Sequence, residues 1–518
     1  MAIRTISNTG GNWNSPGTWV GGVVPASLDD VVATATSGNL TVTANASIAS
    51  IDFTNYVSTF SVNSGVTLSF GGNTAPLRMV PGMTIAPTST GTLSFATSSA
   101  AGAPLRSGGL TWPGSLLFQA PTSRNYILGD AWIIDGNLTF RSTLSANISL
   151  LLTNFSIRVR GNVTIGDTAS ATLYPAVGGT TTLILDTSAT TTITTNNTTT
   201  STVVPFRTPL SINAPTGTIV FSTPGAKLAL GNVTYTSGSV TTTGSTIHWN
   251  TAQTLTTSLM TWNSNIVVTG TILSLASALN VGSSGSLTLL SNCQFTTSAV
   301  NLSGNMSTGS GTHSGTSTFN IVGATSTISQ NAGGAFRLAM NINSSGTVTF
   351  STDFNFGASG ISFTYTSGTF SMSNTLTWTN SQGTTTYNMN ASGLTFPNFV
   401  TSAQITFQGT AGCNFYGFLC ITPGTIISLN ASRTYNVSNQ FQLIGTAASP
   451  ILIASTVPVT NTILTILPTA TLNVAYVNAT RIDSSLGQTV WDYAGVLSNT
   501  INWNPINPQP PNLSAVFA

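Results

Sequence analysis

The chain has 518 residues, of which only 4% are charged, and its formal net charge is +2. Its hydrophobic content of 40% is too high for a disordered chain, which usually combines low hydrophobicity with high net charge. No basic stripe marks a nucleic-acid-binding surface, and the apolar runs are far shorter than the roughly 20 residues that span a bilayer. We therefore expect neither nucleic acid nor a membrane as a partner.

The polar positions are filled by Thr, Ser, Asn and Gly. All ten acidic residues are Asp, and Lys227 is the only lysine. A chain without Glu and with almost no Lys has avoided good helix formers, whereas Thr is favoured on pleated surfaces. Short alternating segments bounded by Gly, Asn, Ser or Pro recur every 8–12 residues or so. The sequence predicts an all-β protein.

The first predicted region, residues 1–74, contains an N-terminal cap and the first coils. Its Trp-, Pro- and Gly-rich start, "GNWNSPGTWVGGVVPASLDDVV", suits the closure of a core and the blocking of edge hydrogen bonds. No apolar segment typical of a secretory signal opens the chain. Asp29 and Asp30 form the only acidic pair. They could bind Ca²⁺ or act as acid and base, but we favour a turn and a strand entry.

Three repeats follow, at residues 75–204, 205–334 and 335–480. Arg78, Arg207 and Arg337 align at intervals of about 130 residues, which is the signature of an internal repeat. A Leu/Met-Thr-aromatic element follows in each copy, and the first copy lacks a piece of about 24 residues, the size of one solenoid coil. Because copies that differ by a whole coil suit a stacked architecture, we expect an elongated right-handed parallel β-helix with about 22 residues per coil. Tandem β-sandwich modules of about 130 residues are the alternative.

The repeats supply the candidate site positions. Arg78, Arg207 and Arg337 form either a row of cationic contacts for a polyanionic glycan or a set of guanidinium groups that satisfy turn carbonyls; we favour the second. The repeated aromatic residues either stack on sugars at the surface or form ladders inside the β-helix. These aromatic positions are Trp112, Tyr235, Trp249, Trp262, Tyr365 and Trp378.

Catalytic and metal-binding patterns are weak. Asp130 and Asp135 are five residues apart, an odd separation that places them on opposite faces of a strand, so we interpret them as turn residues. His248, beside Trp249, aligns with Thr377 of the third repeat and is interpreted as a tolerated variant on a strand. His313, in "GSGTHSGTS", is predicted to lie in a solvated loop. We predict no catalytic residue, no metal site and no cofactor.

The three cysteines, Cys293, Cys413 and Cys420, are too few and too scattered for a disulfide framework. We expect buried free thiols, with a bridge between Cys413 and Cys420 as the alternative.

Residues 481–518 form the last predicted region, a C-terminal cap and a Pro-rich tail. Asn502-Trp503-Asn504 repeats the Asn12-Trp13-Asn14 signature of the N-terminus. The opening pattern, from Trp13 through Trp19-Val20-Gly21-Gly22 to Asp29-Asp30, and the closing pattern, from Asp483 to Trp503, resemble the ends of repetitive β-rich virion and appendage proteins of tailed phages. They are also similar to bacterial cell-surface β-helix proteins.

This resemblance implies a protein built from parallel β-coils, and trimer formation with it. We expect a non-enzymatic structural protein of a virus particle, such as a phage fibre, spike or capsid-surface decoration, that attaches to host-surface polysaccharide and contacts other virion proteins. It would be assembled in the host cytoplasm and located on the virion surface. The alternatives are a depolymerase tailspike that cleaves polysaccharide, and a bacterial surface adhesin or filament subunit at the cell surface.

Overall fold

The structure is a computed structural model of the chain. It describes residues 2–72, 76–96, 104–120, 124–142, 147–151, 155–166, 176–179, 182–195, 203–222, 227–242, 245–257 and 260–506. The predicted Pro-rich end beyond residue 506 and the predicted boundary at residues 74/75 lie outside these residues. The chain divides into two compact units, Met1–Val267 and Val268–Ala518.

Both units are built from strands. The only helical element in the described ranges is the single 3-10 turn Pro16–Thr18, and no helix there has the length and apolarity needed to cross a membrane. The all-β prediction is confirmed.

The strands of the first unit are mostly short, the longest being Leu210–Ser222 with 13 residues, and the last of them contains the boundary between the units. They are Ile3–Thr5, Gly11–Asn12, Asp30–Val32, Leu40–Val42, Ala46–Ile48, Ser50–Asp52, Thr59–Val62, Thr67–Phe70, Leu77–Arg78, Thr84–Ile85, Thr92–Phe95, Thr111–Trp112, Ser115–Ala120, Arg124–Ile127, Trp132–Ile134, Leu138–Ser142, Asn147–Leu151, Ser156–Val159, Val163–Ile165, Ala176–Gly179, Thr182–Leu185, Thr190–Thr195, Val203–Phe206, Leu210–Ser222, Lys227–Leu230, Val233–Thr241, Thr246–Trp249, Gln253–Thr256, Thr261–Trp262 and Asn265–Thr269.

The second unit includes longer strands that bend around a corner of the coil. Its strands are Ile272–Leu275, Leu279–Val281, Ser286–Leu290, Gln294–Thr297, Val300–Leu302, Asn305–Thr308, Thr312–Ile321, Thr325–Gln330, Ala335–Phe350, Phe354–Asn355, Ser362–Met372, Thr377–Asn380, Thr385–Met389, Thr395–Thr401, Ile405–Gln408, Asn414–Cys420, Ile426–Leu429, Thr434–Ile444, Ile451–Ser455, Thr462–Ile466, Thr471–Ala475, Val477–Thr480, Ile482–Asp483, Val490–Tyr493, Leu497–Ser498 and Trp503–Ile506.

Each unit is a right-handed parallel β-solenoid, and the chain forms about 18 turns. Each strand pairs in parallel with a strand one coil later. The shortest coil joins Val490 and Trp503, and the longest join pairs such as Phe441 and Leu472, both in the second unit. The β-helix prediction is therefore confirmed over the sandwich alternative, but the coil length varies widely around the expected value.

The core follows from the period-2 alternation of these strands, since every second side chain points inward. In the first unit the register places Phe70 beside Phe95 and Phe95 beside Phe118. Their ring centroids are 5.1 and 5.6 Å apart, with nearly parallel ring planes. Like residues at equivalent positions of successive coils thus form an aromatic stack.

The second unit has a denser aromatic cluster around Trp378. The Trp378 ring lies 5.2 Å from Phe350 and 5.3 Å from Phe396, and its indole N–H donates to the Tyr387 hydroxyl over 3.1 Å. Burial raises the pKa of that hydroxyl, so it stays protonated.

Tryptophans are also buried near both ends of the described chain. Trp13 and Trp19 pack edge to face at 4.9 Å, and the Trp19 indole donates to the Trp13 carbonyl over 2.7 Å. Trp503 is 3% exposed and packs against Phe441. The repeated Asn-Trp-Asn signature therefore places a buried indole at each of these positions.

Candidate functional site

The repeated tryptophans lie in the core. Trp112, Trp249, Trp262 and Trp378 have no exposed surface, and Trp249 and Trp262 pack edge to face at 5.6 Å. A sugar would need an exposed ring face on which to stack. The geometry of these four residues therefore corresponds to the internal ladder rather than to the sugar platform.

The repeated tyrosines stabilise a local bend in their strands. The Tyr235 hydroxyl donates to the Gly238 carbonyl, and the Tyr365 hydroxyl donates to the Gly368 carbonyl in the same way. Gly238 and Gly368 have φ of +111° and +104°, a conformation that side-chain-bearing residues rarely adopt. The repeated Tyr-Thr-Ser-Gly sequence thus encodes a bend, with Tyr365 2% exposed and Tyr235 half-buried.

The three repeat arginines differ in environment. Arg78 and Arg207 are exposed, whereas Arg337 is half-buried and its Nε atom is buried without a hydrogen-bond partner in the described structure. Arg207 donates to the Asn250 side chain over 3.4 Å. Arg78 and Arg207 are five coils apart along their strand ladder, about 24 Å at 4.8 Å per coil. This spacing is too wide for both to contact one sugar residue.

Asp29 and Asp30 have separate structural partners. Asp29 is 6% exposed. It accepts hydrogen bonds from the Arg4 Nε and the Ala2 backbone N–H, both at 2.9 Å, and from the Ala26 N–H at 3.1 Å. The Arg4 hydrogen bond and these two backbone donors lower the pKa of Asp29 to about 2. Asp30 instead accepts from the Ser50 hydroxyl. The pair anchors the first strand and its neighbours.

Asp130 and Asp135 stabilise contacts between coils. Asp130 accepts from the backbone N–H groups of Ser107 at 2.7 Å and Gly108 at 2.9 Å, so it caps a turn of the preceding coil. Asp135 forms an ion pair with Arg160 of the next coil at 2.9 Å. Each carboxylate is therefore engaged with a different coil.

The two histidines lie on strands and are buried. His248 is 8% exposed on Thr246–Trp249, as expected for a strand position. The prediction for His313 is wrong: this residue has no exposed surface and belongs to the strand Thr312–Ile321. Its glycine-rich neighbourhood reflects close packing, because a Cβ on Gly315 would lie 1.9 Å from the Phe295 carbonyl oxygen.

Burial determines the protonation state of His313. Desolvation lowers its pKa to about 4, and the nearby Gly309 carbonyl offsets this only in part. Neither ring nitrogen reaches hydrogen-bond geometry with a partner in the described structure. The side chain is therefore neutral at physiological pH and acts as a core residue.

All three cysteines are free and buried. Desolvation raises the pKa of each thiol, which keeps it protonated and unreactive. Within the described ranges, no three His, Cys, Asp or Glu side chains cluster as metal ligands.

A groove of about 630 Å³, lined by both polar and apolar residues, lies in the second unit. It is formed where the strand Thr325–Gln330 ends, by the turn at residues 331–334, the loop at 351–353 and the strand Phe354–Asn355. We call it the Gln330 groove. Sequence reasoning missed it, although "ISQNAGG" and "STDFN" stand out in this Thr-rich chain as segments with Gln, Asn and Asp close together.

Hydrogen bonds fix Gln330 at the groove. Its backbone N–H donates to the Thr352 hydroxyl over 2.7 Å, and its side-chain oxygen accepts from the Asn355 N–H at 2.6 Å. The residue is 5% exposed, and its Nε2 atom has no hydrogen-bond partner in the described structure. Asp353, at the rim, accepts from the Thr377 N–H through Oδ1 at 2.8 Å.

Comparison of the chain with family models, with curated proteins and with solved structures finds no match. The fold and the geometry of its side chains are therefore the basis for a functional proposal.

Proposed function

We propose that this protein is a non-enzymatic structural component of a virus particle, of the fibre, spike or capsid-surface decoration class of a tailed phage, and that it attaches to host-surface glycans. The observation that carries the proposal is the in-register stacking of like residues in a parallel β-solenoid, as in the Phe70, Phe95 and Phe118 stack. Such stacking links each coil to its neighbours through both backbone and side chains.

The composition supports an extracellular role. With 12 Lys and Arg residues in 518, trypsin-like proteases have few cleavage sites. With 4% charged residues, little of the surface energy depends on salt, because ionic strength screens mainly exposed charges. The resemblance of both ends of the chain to virion and appendage proteins also supports an extracellular role.

Labelling of purified particles tests the proposal. Gold-conjugated antibody against this chain is expected to decorate a defined position on virions, visible by electron microscopy. Absence of gold from virions, with the antigen found on bacterial surfaces, would favour the adhesin alternative instead.

Two further measurements refine the proposal. Light scattering of the purified protein is expected to give three times the chain mass of 53.2 kDa, because the resemblance implies a trimer. Incubation with host capsule is expected to release no reducing ends. Their release would replace the structural role by the depolymerase alternative.

A further inference from the structure

Gln330, which lines the groove, has a buried side-chain N–H donor without a hydrogen-bond partner in the described structure. Because the Gln330 backbone N–H and side-chain oxygen are both engaged, its Nε2 group is held in a fixed direction. Leaving a buried donor unsatisfied is unfavourable, because the group has lost its hydrogen bonds to water. A ligand acceptor that reached this buried group would satisfy it.

The rim of the groove adds both donors and acceptors. Asn331 is exposed on the turn, and its side chain makes no hydrogen bond to another described residue. Asp353 uses Oδ1 for the Thr377 N–H, so its Oδ2 atom is available as an acceptor. Thr379 also lines the groove. A ligand with several hydroxyl groups would match this set, because each hydroxyl both donates and accepts.

The charge of the residues that line the groove restricts the class of ligand that the groove can bind. Asp353 is the one charged residue among those that line the groove, and no cation lines it. A carboxylate close to a bound anion is unfavourable, since like charges repel most strongly where water is partly excluded. The groove volume of about 630 Å³ lies within the range of small-ligand pockets. These features favour a neutral ligand.

The fold does not require these groove residues. At the junction of the first and second repeats, Ile193 pairs with Phe221, just as Ile328 pairs with Phe350 at the junction of the second and third repeats. The residue two positions after Ile193 is Thr195, whereas the residue two positions after Ile328 is Gln330. The residue three positions after Phe221 is Pro224, where the third repeat has Asp353. The donor and the carboxylate are therefore particular to the junction of the second and third repeats, although the coil pairing is common to both junctions.

We propose that the Gln330 groove binds a neutral carbohydrate unit, with Gln330 Nε2 donating to a sugar oxygen while Asp353 Oδ2 and Asn331 bind neighbouring hydroxyl groups. This proposal rests on the proposed function, since it assigns the glycan attachment to a site.

The test uses the full chain on an array of neutral glucan, galactan, mannan and N-acetylhexosamine oligomers, together with uronate and sialylated oligomers. Calorimetry with a neutral oligomer that is retained then measures affinity for the variants. Asp353→Asn keeps an oxygen for the Thr377 N–H, and Asn331→Ala alters an exposed turn, so both are expected to fold. Asp483→Asn and Asn439→Ala are matched controls outside the groove in the same unit.

We expect wild-type protein to retain neutral oligomers, each groove variant to lose at least tenfold in affinity, and the controls to stay within twofold. The assignment is overturned if only acidic oligomers bind, if no oligomer binds, or if the groove variants bind like wild type. Particle labelling separates the two proposals. Decorated virions with unaffected groove variants would remove only the groove assignment, whereas undecorated virions with a groove-dependent affinity would remove only the virion role.

Discussion

The side-chain amide of Asn301 donates a 2.8 Å hydrogen bond to Oδ1 of Asn280, its in-register neighbour one coil earlier. Asn320 donates to Asn301 in the same way, also at 2.8 Å, and Asn341 to Asn320 at 3.5 Å. The four residues are half-buried and form an asparagine ladder along one face of the second unit. Asn301 and Asn320, the inner members, each donate a hydrogen bond to the preceding coil and accept one from the following coil.

Replacement of Asn301 is expected to weaken two of these bonds together. Asn301→Ala should lower the free energy of local unfolding by about 1–2 kcal/mol, because a typical hydrogen bond contributes about 1 kcal/mol. Amide hydrogen exchange in Leu279–Val281 and Val300–Leu302 measures this locally, which suits a solenoid whose unfolding need not be two-state. Asn439→Ala is the control, since the Asn439 side chain bonds to no other described residue. Equal exchange rates in both variants would show that the ladder adds no stability.

A comparison of two tryptophans tests the aromatic core of the second unit. Trp378 is fully buried, whereas Trp491 is 52% exposed. We expect Trp378→Ala to cost about 3–5 kcal/mol, as large-to-small core substitutions do, and to leave the Tyr387 hydroxyl without its donor. Trp491→Ala should change stability by no more than about 0.5 kcal/mol. Urea unfolding followed by circular dichroism compares them, and a similar loss for both would contradict the assignment of Trp378 as the centre of the cluster.

The repeated architecture could be predicted because equivalent residues recur at regular intervals along the sequence. Arg78, Arg207 and Arg337 mark a recurring unit, and strand alternation is visible residue by residue. The wrong prediction for His313 has a physical reason. Glycine in "GTHSG" suggested a loop, but Gly315 serves the close approach of the Phe295 carbonyl, and this contact depends on the coil beneath.

The Gln330 groove was not predictable for a related reason. Gln330 and Asp353 meet only because one coil separates them, and coil length in the second unit is far from constant, as the pairs Leu302–Ile321 and Phe441–Leu472 illustrate. Without knowledge of each coil's length, no spacing rule pairs Gln330 with Asp353. The buried state of the repeated tryptophans was likewise undetermined, since an aromatic ladder gives the same spacing on the inner and outer faces.

His313 should make the protein less stable in acid. Its folded-state pKa of about 4 lies below its ordinary value of 6.5, so folding favours the neutral form. The contribution of neutral His313 to the free energy of unfolding is fully present above pH 6.5 and is lost as the pH falls through 4. This contribution is about 3 kcal/mol at most. His313→Leu should flatten the dependence of the unfolding free energy on pH between 7 and 4, while His248→Leu controls for the loss of a buried histidine elsewhere. A titration of the His313 ring near pH 6.5, followed by NMR, would contradict this explanation.

Asp492, in contrast to His313, should make the protein less stable as the pH rises. This residue has no exposed surface, and desolvation raises its pKa to about 7. The Val477 backbone N–H and the Trp503 indole lower the pKa only in part, since the Val477 bond is long at 3.4 Å and the indole nitrogen and Oδ2 do not reach hydrogen-bond geometry. Folding thus favours the protonated acid, and stability falls as the pH rises from about 4 to about 7.

Asp492→Asn removes the ionisation and keeps an oxygen for Val477, so it should raise stability at pH 8 by about 1–2 kcal/mol and have little effect at pH 4. Hydrogen exchange in Val490–Tyr493 and Trp503–Ile506 at both pH values is the measurement, with Asp483→Asn as the control. If Asp492→Asn kept the wild-type dependence on pH, another group would have to be responsible for it.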